Sequence, residues 1–156
     1  MNKANQILPL ENIQNRIFTI RGVQVMLDKD IAYFYEVKPI RLREQVKRNS
    51  GRFPGDFMFR LTSDEVNLLV SQNAIPSKQH LGGAKPYAFT EEGVANLASV
   101  LTTDKAIQVN IQIMRAFVAM RKFIASNAGV FQRLDKLELK QLEHEKKFEQ
   151  VFQALE

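Results

Sequence analysis

The 156 residues contain no cysteine. Structural disulfides, thiolate metal sites and cysteine nucleophiles are thereby excluded, and a reducing compartment suits the chain. Histidine is scarce too: there are two, His80 and His144. A metal site needs several His, Cys or carboxylate ligands in a compact array, and none is visible, so no metal is expected. Gly82–Gly83 lacks the strand and the Gly-Lys-Ser/Thr of a phosphate loop. No apolar run approaches the roughly 18 residues of a membrane span. The start, MNKANQILPL, has no apolar h-region. A cytoplasmic protein without membrane contact is expected. Neighbouring acids occur at Asp28/Asp30, Asp64/Glu65 and Glu91/Glu92. All fall at predicted helix starts, where capping and the helix dipole account for them. No catalytic residue and no cofactor are expected, and the chain does not read as an enzyme.

Hydrophobic residues make up 45% of the chain, enough for a core, and the net charge is +5. Up to Ala125 there are 17 Lys and Arg against 11 Asp and Glu, a net +6; the remainder holds 5 against 6. Basic charge concentrates in Lys38–Arg52, where Lys38, Arg41, Arg43, Lys47, Arg48 and Arg52 face only Glu44. A local excess of +5 points toward a polyanion. A solvated helix face would carry the same charge.

Residues 1–12 are polar and expected to be flexible. RIFTIRGVQVML reads as two strands around Arg21-Gly22, with Val23, Val25 and Leu27 alternating after the turn. Asp28 is expected to cap a short helix whose stripe is Ile31, Phe34 and Tyr35. Pro39 suits the first position of the next helix. On a helical wheel Leu42 and Val46 form its buried edge, Arg41, Glu44 and Arg48 lie opposite, and Lys47 and Arg43 flank them. NSGRFPGD is turn chemistry, FMFRL a strand, and TSDEVNLLV a helix capped by Thr62 or Ser63. Ser71–Pro86 has no period and reads as a long, mobile loop. YAF is a strand able to pair with FMF. Thr90 caps the next helix, and Lys105–Ser126 is a long central helix, buried or shared with a partner.

After SNAG the pattern changes. Leu134, Leu137, Gln141, His144, Phe148, Val151 and Leu155 are spaced 3, 4, 3, 4, 3, 4, a heptad frame. In a parallel pair, Arg133 would face Glu138 of the partner and Lys140 would face Glu145 of the partner. A dimerisation tail over residues 130–156 is expected; an amphipathic helix folded back on its own domain would share the pattern.

Helix, short turn, cationic helix, then a Gly/Pro turn into a strand resembles a helix-turn-helix element with a following β-element. The segments RGVQVMLDKDIAYFYEV, LREQVKRNSGRFPGDFMFRLT, SQNA and PYAFTEEGVANLASVLTTDKAIQVNIQIMRAF resemble the phage and prophage ORF-six N-terminal domain, of the KilA-N and Bro-N group. The resemblance covers about residues 13–124. It implies an α+β fold over 13–125, with small β-hairpins, a helix-turn-helix-like core and a long central helix, ahead of the C-terminal coiled-coil helix read from the heptad spacing. It also implies a DNA-binding regulatory role of prophage or antirepressor type. Arg41, Gln45 and Arg48 would approach base edges; Arg43, Lys47 and Arg52 would mainly meet phosphates, and Asn49 belongs to the same surface. Lys78 and Lys85 would add contacts from the loop. The expected partners are double-stranded DNA and a second copy of the chain. The alternative is a protein-interaction module, an antirepressor that binds a phage repressor and has little DNA affinity of its own. A nuclease would need a carboxylate cluster away from helix caps.

Overall fold

Residues 10–81 and 84–155 are described by the computed structural model. The chain divides into two compact units, Met1–Val118 and Ala119–Glu156. The fold is α+β. Its first element is a short helix α1 (Leu10–Gln14) with Ile13 fully buried. Of the expected flexible N-terminus, then, residues 10–12 are helical, and 1–9 lie outside the described residues. One buried isoleucine is the reason: it gives α1 an anchor.

Strands β1 (Ile17–Ile20) and β2 (Val23–Leu27) form a hairpin in register Ile20↔Val23. Its two turn residues both have positive φ, Arg21 at 55° and Gly22 at 76°, as a type I′ turn matching strand twist requires. Arg21 is held there by its own side chain. Its Nε donates to Glu65 Oε2 at 3.0 Å and its Nη2 to Glu65 Oε1 at 2.9 Å, and the guanidinium lies 4.1 Å over the Phe59 ring. Strands β3 (Met58–Arg60) and β4 (Tyr87–Phe89) pair antiparallel as expected, and β4 also pairs with β2. The sheet order is β1-β2-β4-β3. Val25 and Leu27 point into one core, with Leu61, Val66, Leu69 and Ala88. Met26 between them is also fully buried, so this inner strand is covered on both faces.

Helix α2 (Asp28–Tyr35) and helix α3 (Pro39–Arg48) are joined by the three residues 36–38. Helix α4 (Ser63–Ser71) opens on a complete capping box: Glu65 N–H donates to Thr62 Oγ1 at 3.2 Å, and Thr62 N–H to Glu65 Oε1 at 2.8 Å. It closes on a Schellman motif, with Asn73 at φ 61°, Ala74 N–H on the Leu69 carbonyl and Asn73 N–H on that of Val70. That motif turns Ala74 and Ile75 into the core, where Ile75 is fully buried. The segment read as one mobile loop therefore starts with a packed anchor, and Lys78–Leu81 adds a 3-10 turn. Two apolar residues are too few to show a period, but enough to fill a site in a core.

Helix α5 (Glu91–Leu97) is capped by Thr90, whose Oγ1 accepts from Gly93 N–H at 3.3 Å. Thr90 N–H donates to the Phe57 carbonyl at 3.0 Å. Gly93 is required by this close approach, since a Cβ there would fall on the Phe57 carbonyl oxygen. Helix α6 (Asp104–Ser126) starts in the first unit and continues in the second. It buries Ala106, Val109, Ile113, Ala116 and Phe117 and leaves Ile107 and Ile111 about half exposed, so only one stripe of its apolar surface is core. Helix α7 (Ala128–Leu155) follows after the single residue Asn127. No helix among the described residues is long and apolar enough to cross a membrane.

Candidate nucleic-acid interface

The cationic segment folds as α3. Pro39 stands at its first position, where a missing N–H costs nothing. Leu42 is fully buried and Val46 is 4% exposed, and these two anchors set the rotation of the helix. Arg41, Glu44, Lys47 and Arg48 are consequently exposed; Arg43, Gln45 and Asn49 are half-buried. Among the described residues, Arg41, Lys47 and Arg48 form no salt bridge. Their charge is thus not neutralised by the fold.

Arg43 is placed differently. Its Nε donates to Asp28 Oδ2 at 2.9 Å, across the α2–α3 angle. Asp28 is completely buried, while the Arg43 side chain is 30% exposed. The other Asp28 oxygen accepts the Lys29 backbone N–H at 2.8 Å. The expectation that Asp28 caps α2 is therefore corrected: Leu27 occupies the cap position without a side-chain bond, and Asp28 is the first helical residue. Its carboxylate holds the cationic helix against α2. A buried carboxylate needs such a partner, and Arg43 brings one from 15 residues away.

The turn between the helices has its own constraint. Glu36 adopts φ 57°, with its N–H on the Tyr33 carbonyl and the Val37 N–H on the Ala32 carbonyl. This is a Schellman closure with glutamate where glycine is cheapest. Helix α2 is in turn tied to α6, because the Tyr35 hydroxyl donates to Asn110 Oδ1 at 2.8 Å. Burial pushes the Tyr35 hydroxyl well above its ordinary pKa, so it stays a donor.

Beyond α3, Asn49 closes the helix: its Nδ2 donates to the Gln45 carbonyl at 2.8 Å. Its amide is thereby committed to the helix end. A 3-10 turn, Ser50–Arg52, follows. Arg52 is exposed, but its Nη1 donates to Ser99 Oγ at 2.9 Å and its carbonyl accepts from Asn96 Nδ2. The turn is thus fastened to α5 and to Ser99, in the turn that follows it. Lys85 is exposed. The side chain of Lys78 lies outside the described residues.

Two exposed side chains lie off the apolar stripes read from the sequence. Ile40 is 65% exposed on α3. The wheel that placed Leu42 inward puts Ile40 about 160° away, among the cations. Tyr33, 77% exposed on α2, contrasts with Tyr35, which is 1% exposed.

In the second unit, Leu134, Leu137, Gln141 and His144 are all exposed on α7, the two leucines at 48% and 61%. The side chains of Phe148, Val151 and Leu155 lie outside the described residues.

A family model described as the ORF6N domain matches residues 15–100. The chain belongs to the ORF6N domain family. No curated protein and no solved structure matches it. The matched residues run from just before β1 through α5 and contain the whole α2–turn–α3 element. Its ORF6N membership suggests a phage-type regulatory protein.

Proposed function

We propose that this ORF6N protein is a sequence-directed DNA-binding regulator of prophage or antirepressor type, with α3 as its contact helix. The observation that supports this most is the unneutralised cationic face of α3, set in rotation by Leu42 and Val46 and in angle by the Asp28–Arg43 pair. A helix so held presents Arg41, Gln45 and Arg48 to base edges, since Arg pairs with guanine and Gln with adenine. Ile40 offers an apolar contact of the kind that suits a thymine methyl group. Lys47 and Arg52 serve phosphates. Arg43 contributes to DNA only through what its ion pair with Asp28 leaves exposed.

Helix α7 supplies the second half of the proposal. Exposed leucines at heptad spacing suit a parallel two-stranded coil, and a dimer would present two copies of α3 to a two-fold-related site. The same exposed leucines also suit docking to a repressor, the alternative reading.

The test is binding to labelled duplex DNA across a salt series. Log affinity is expected to fall linearly with log salt, by about 0.9 per phosphate neutralised. Lys47→Ala is expected to flatten the slope by roughly one and weaken all duplexes alike. Arg41→Ala with Arg48→Ala costs more and relaxes sequence preference. A double variant that folds and binds as the parent does would remove α3 from the interface; absence of any salt-dependent binding would favour the protein-interaction reading.

A further inference from the structure

A cleft of about 870 Å³ opens in the first unit beside the α2–α3 turn, with walls from α1, β1, α2, Pro39 and the residues after α4. Its size falls in the roughly 300–1,000 Å³ range of small-molecule sites. Three kinds of side chain meet there. Tyr33 presents an aromatic ring that is 77% exposed and braced edge-on by Phe34 at 5.7 Å. Asn15 and Asn73 line the wall with amide side chains. Arg16 and Lys29 add two cations against one carboxylate, Asp30.

Asp30 organises the charged side. Lys29 Nζ lies 3.4 Å from its Oδ1, and Arg16 Nη1 lies 3.8 Å from the same oxygen. The residue is 6% exposed, and its Oδ2 is buried with no hydrogen-bond partner. Such an orphan acceptor carries an uncompensated desolvation cost. A carboxylate turns easily about its last torsion, so a donor entering the cleft can satisfy this oxygen. One carboxylate between two cations leaves a net positive charge for an anion.

A stacking ring, amides for base edges, an acceptor for an amino group and cations for a phosphate are together the chemistry that reads an unstacked nucleotide. We propose that this cleft binds one nucleoside monophosphate unit. The base stacks on Tyr33 with its edge toward Asn15 and Asn73. Its exocyclic amino group donates to Asp30, and the phosphate sits at Arg16 and Lys29. This site is separate from the cationic face of α3 and does not depend on the DNA-binding proposal.

The experiment is calorimetric titration of the full chain with AMP, CMP, GMP, UMP and inorganic phosphate. The amino-bearing nucleotides are expected to bind more tightly than UMP, and phosphate alone weakest. Tyr33→Ala, at an exposed position that the core does not use, is expected to weaken AMP about tenfold or more, the scale of one lost base–aromatic stack. Asp30→Asn is expected to bring AMP toward UMP. Arg41→Ala with Arg48→Ala is expected to leave AMP unchanged, which separates this site from the α3 interface. A four-nucleotide single strand of deoxyadenosine that displaces AMP assigns the unit to a nucleic acid strand; bound AMP that the strand cannot displace assigns it to free nucleotide. The proposal is overturned if no nucleotide binds at millimolar concentration, if inorganic phosphate binds as well as AMP, or if Tyr33→Ala binds AMP as the parent does.

Discussion

Replacing Arg43 by methionine tests whether the cationic helix is held in place by one of its own cations. Methionine keeps most of the side-chain volume and removes the partner of a carboxylate with no solvent exposure. Removing one member of a buried ion pair costs about 3–5 kcal/mol. Arg43 is 30% exposed, so water already weakens the attraction, and a loss of ~2–3 kcal/mol is the better expectation. For a unit of this size each kcal/mol moves the melting temperature by about 4 °C, so the variant should melt roughly 10 °C lower at pH 7. Asp28→Asn should cost less, ~1–2 kcal/mol, because the guanidinium it abandons can reach water. Asp28→Asn with Arg43→Met should fall short of the sum of the two losses by at least ~1 kcal/mol, the signature of a direct pair. Circular-dichroism melts of the four proteins measure this cycle. If Arg43 instead serves phosphate alone, its variant will melt with the parent while the salt slope of DNA binding drops by about 0.9. That pair of results would refute the structural role argued for Asp28.

Glu36→Gly should raise stability by up to about 1 kcal/mol, because glycine carries no penalty at φ 57°; a lower melting temperature would show that the turn is not the strained point. The acid limb should report two carboxyl groups with opposite signs. Glu65 is held below its usual range, first by the hydrogen bond from Arg21. Its contribution is complete above about pH 4.3 and is lost as pH falls through the depressed folded value, so Glu65→Gln should flatten acid denaturation there. Asp30 is pushed up by burial, against the lowering effect of Lys29 and Arg16. Between about 3.9, its unfolded value, and the raised folded value, stability should fall as pH rises, and Asp30→Asn should abolish that slope. Sedimentation of the full chain beside a version ending at Ser126 should give a dimer and a monomer; two monomers, or two equal dimers, would remove α7 as the dimer contact.

Features that depend on a few adjacent residues are legible in the sequence. Arg21-Gly22 reads as a hairpin turn, Thr62 or Ser63 as a helix cap, and Pro39 as the first residue of a helix. Leu42 and Val46 set which way α3 faces, because a helix rotates every side chain by a constant angle, so the exposed positions of Arg41, Lys47 and Arg48 followed from two apolar neighbours. The order of segments also carried the ORF6N resemblance. Tertiary structure decided the rest, where the partner lies far along the chain. Asp28 reads as a cap until Arg43 arrives beside it. Tyr35 shares a stripe with Ile31 and Phe34 that Tyr33 does not, but nothing local supplies the partner of its hydroxyl, Asn110, 75 residues away. Ala74 and Ile75 carry no period, and only the positive φ of Asn73 turns them into the core. The Tyr33 cleft gathers residues from both sides of the sheet-forming hairpin. Local rules set conformation because they act through bonded geometry. The meeting of distant side chains depends on how the packed elements close, and no spacing in the sequence records that.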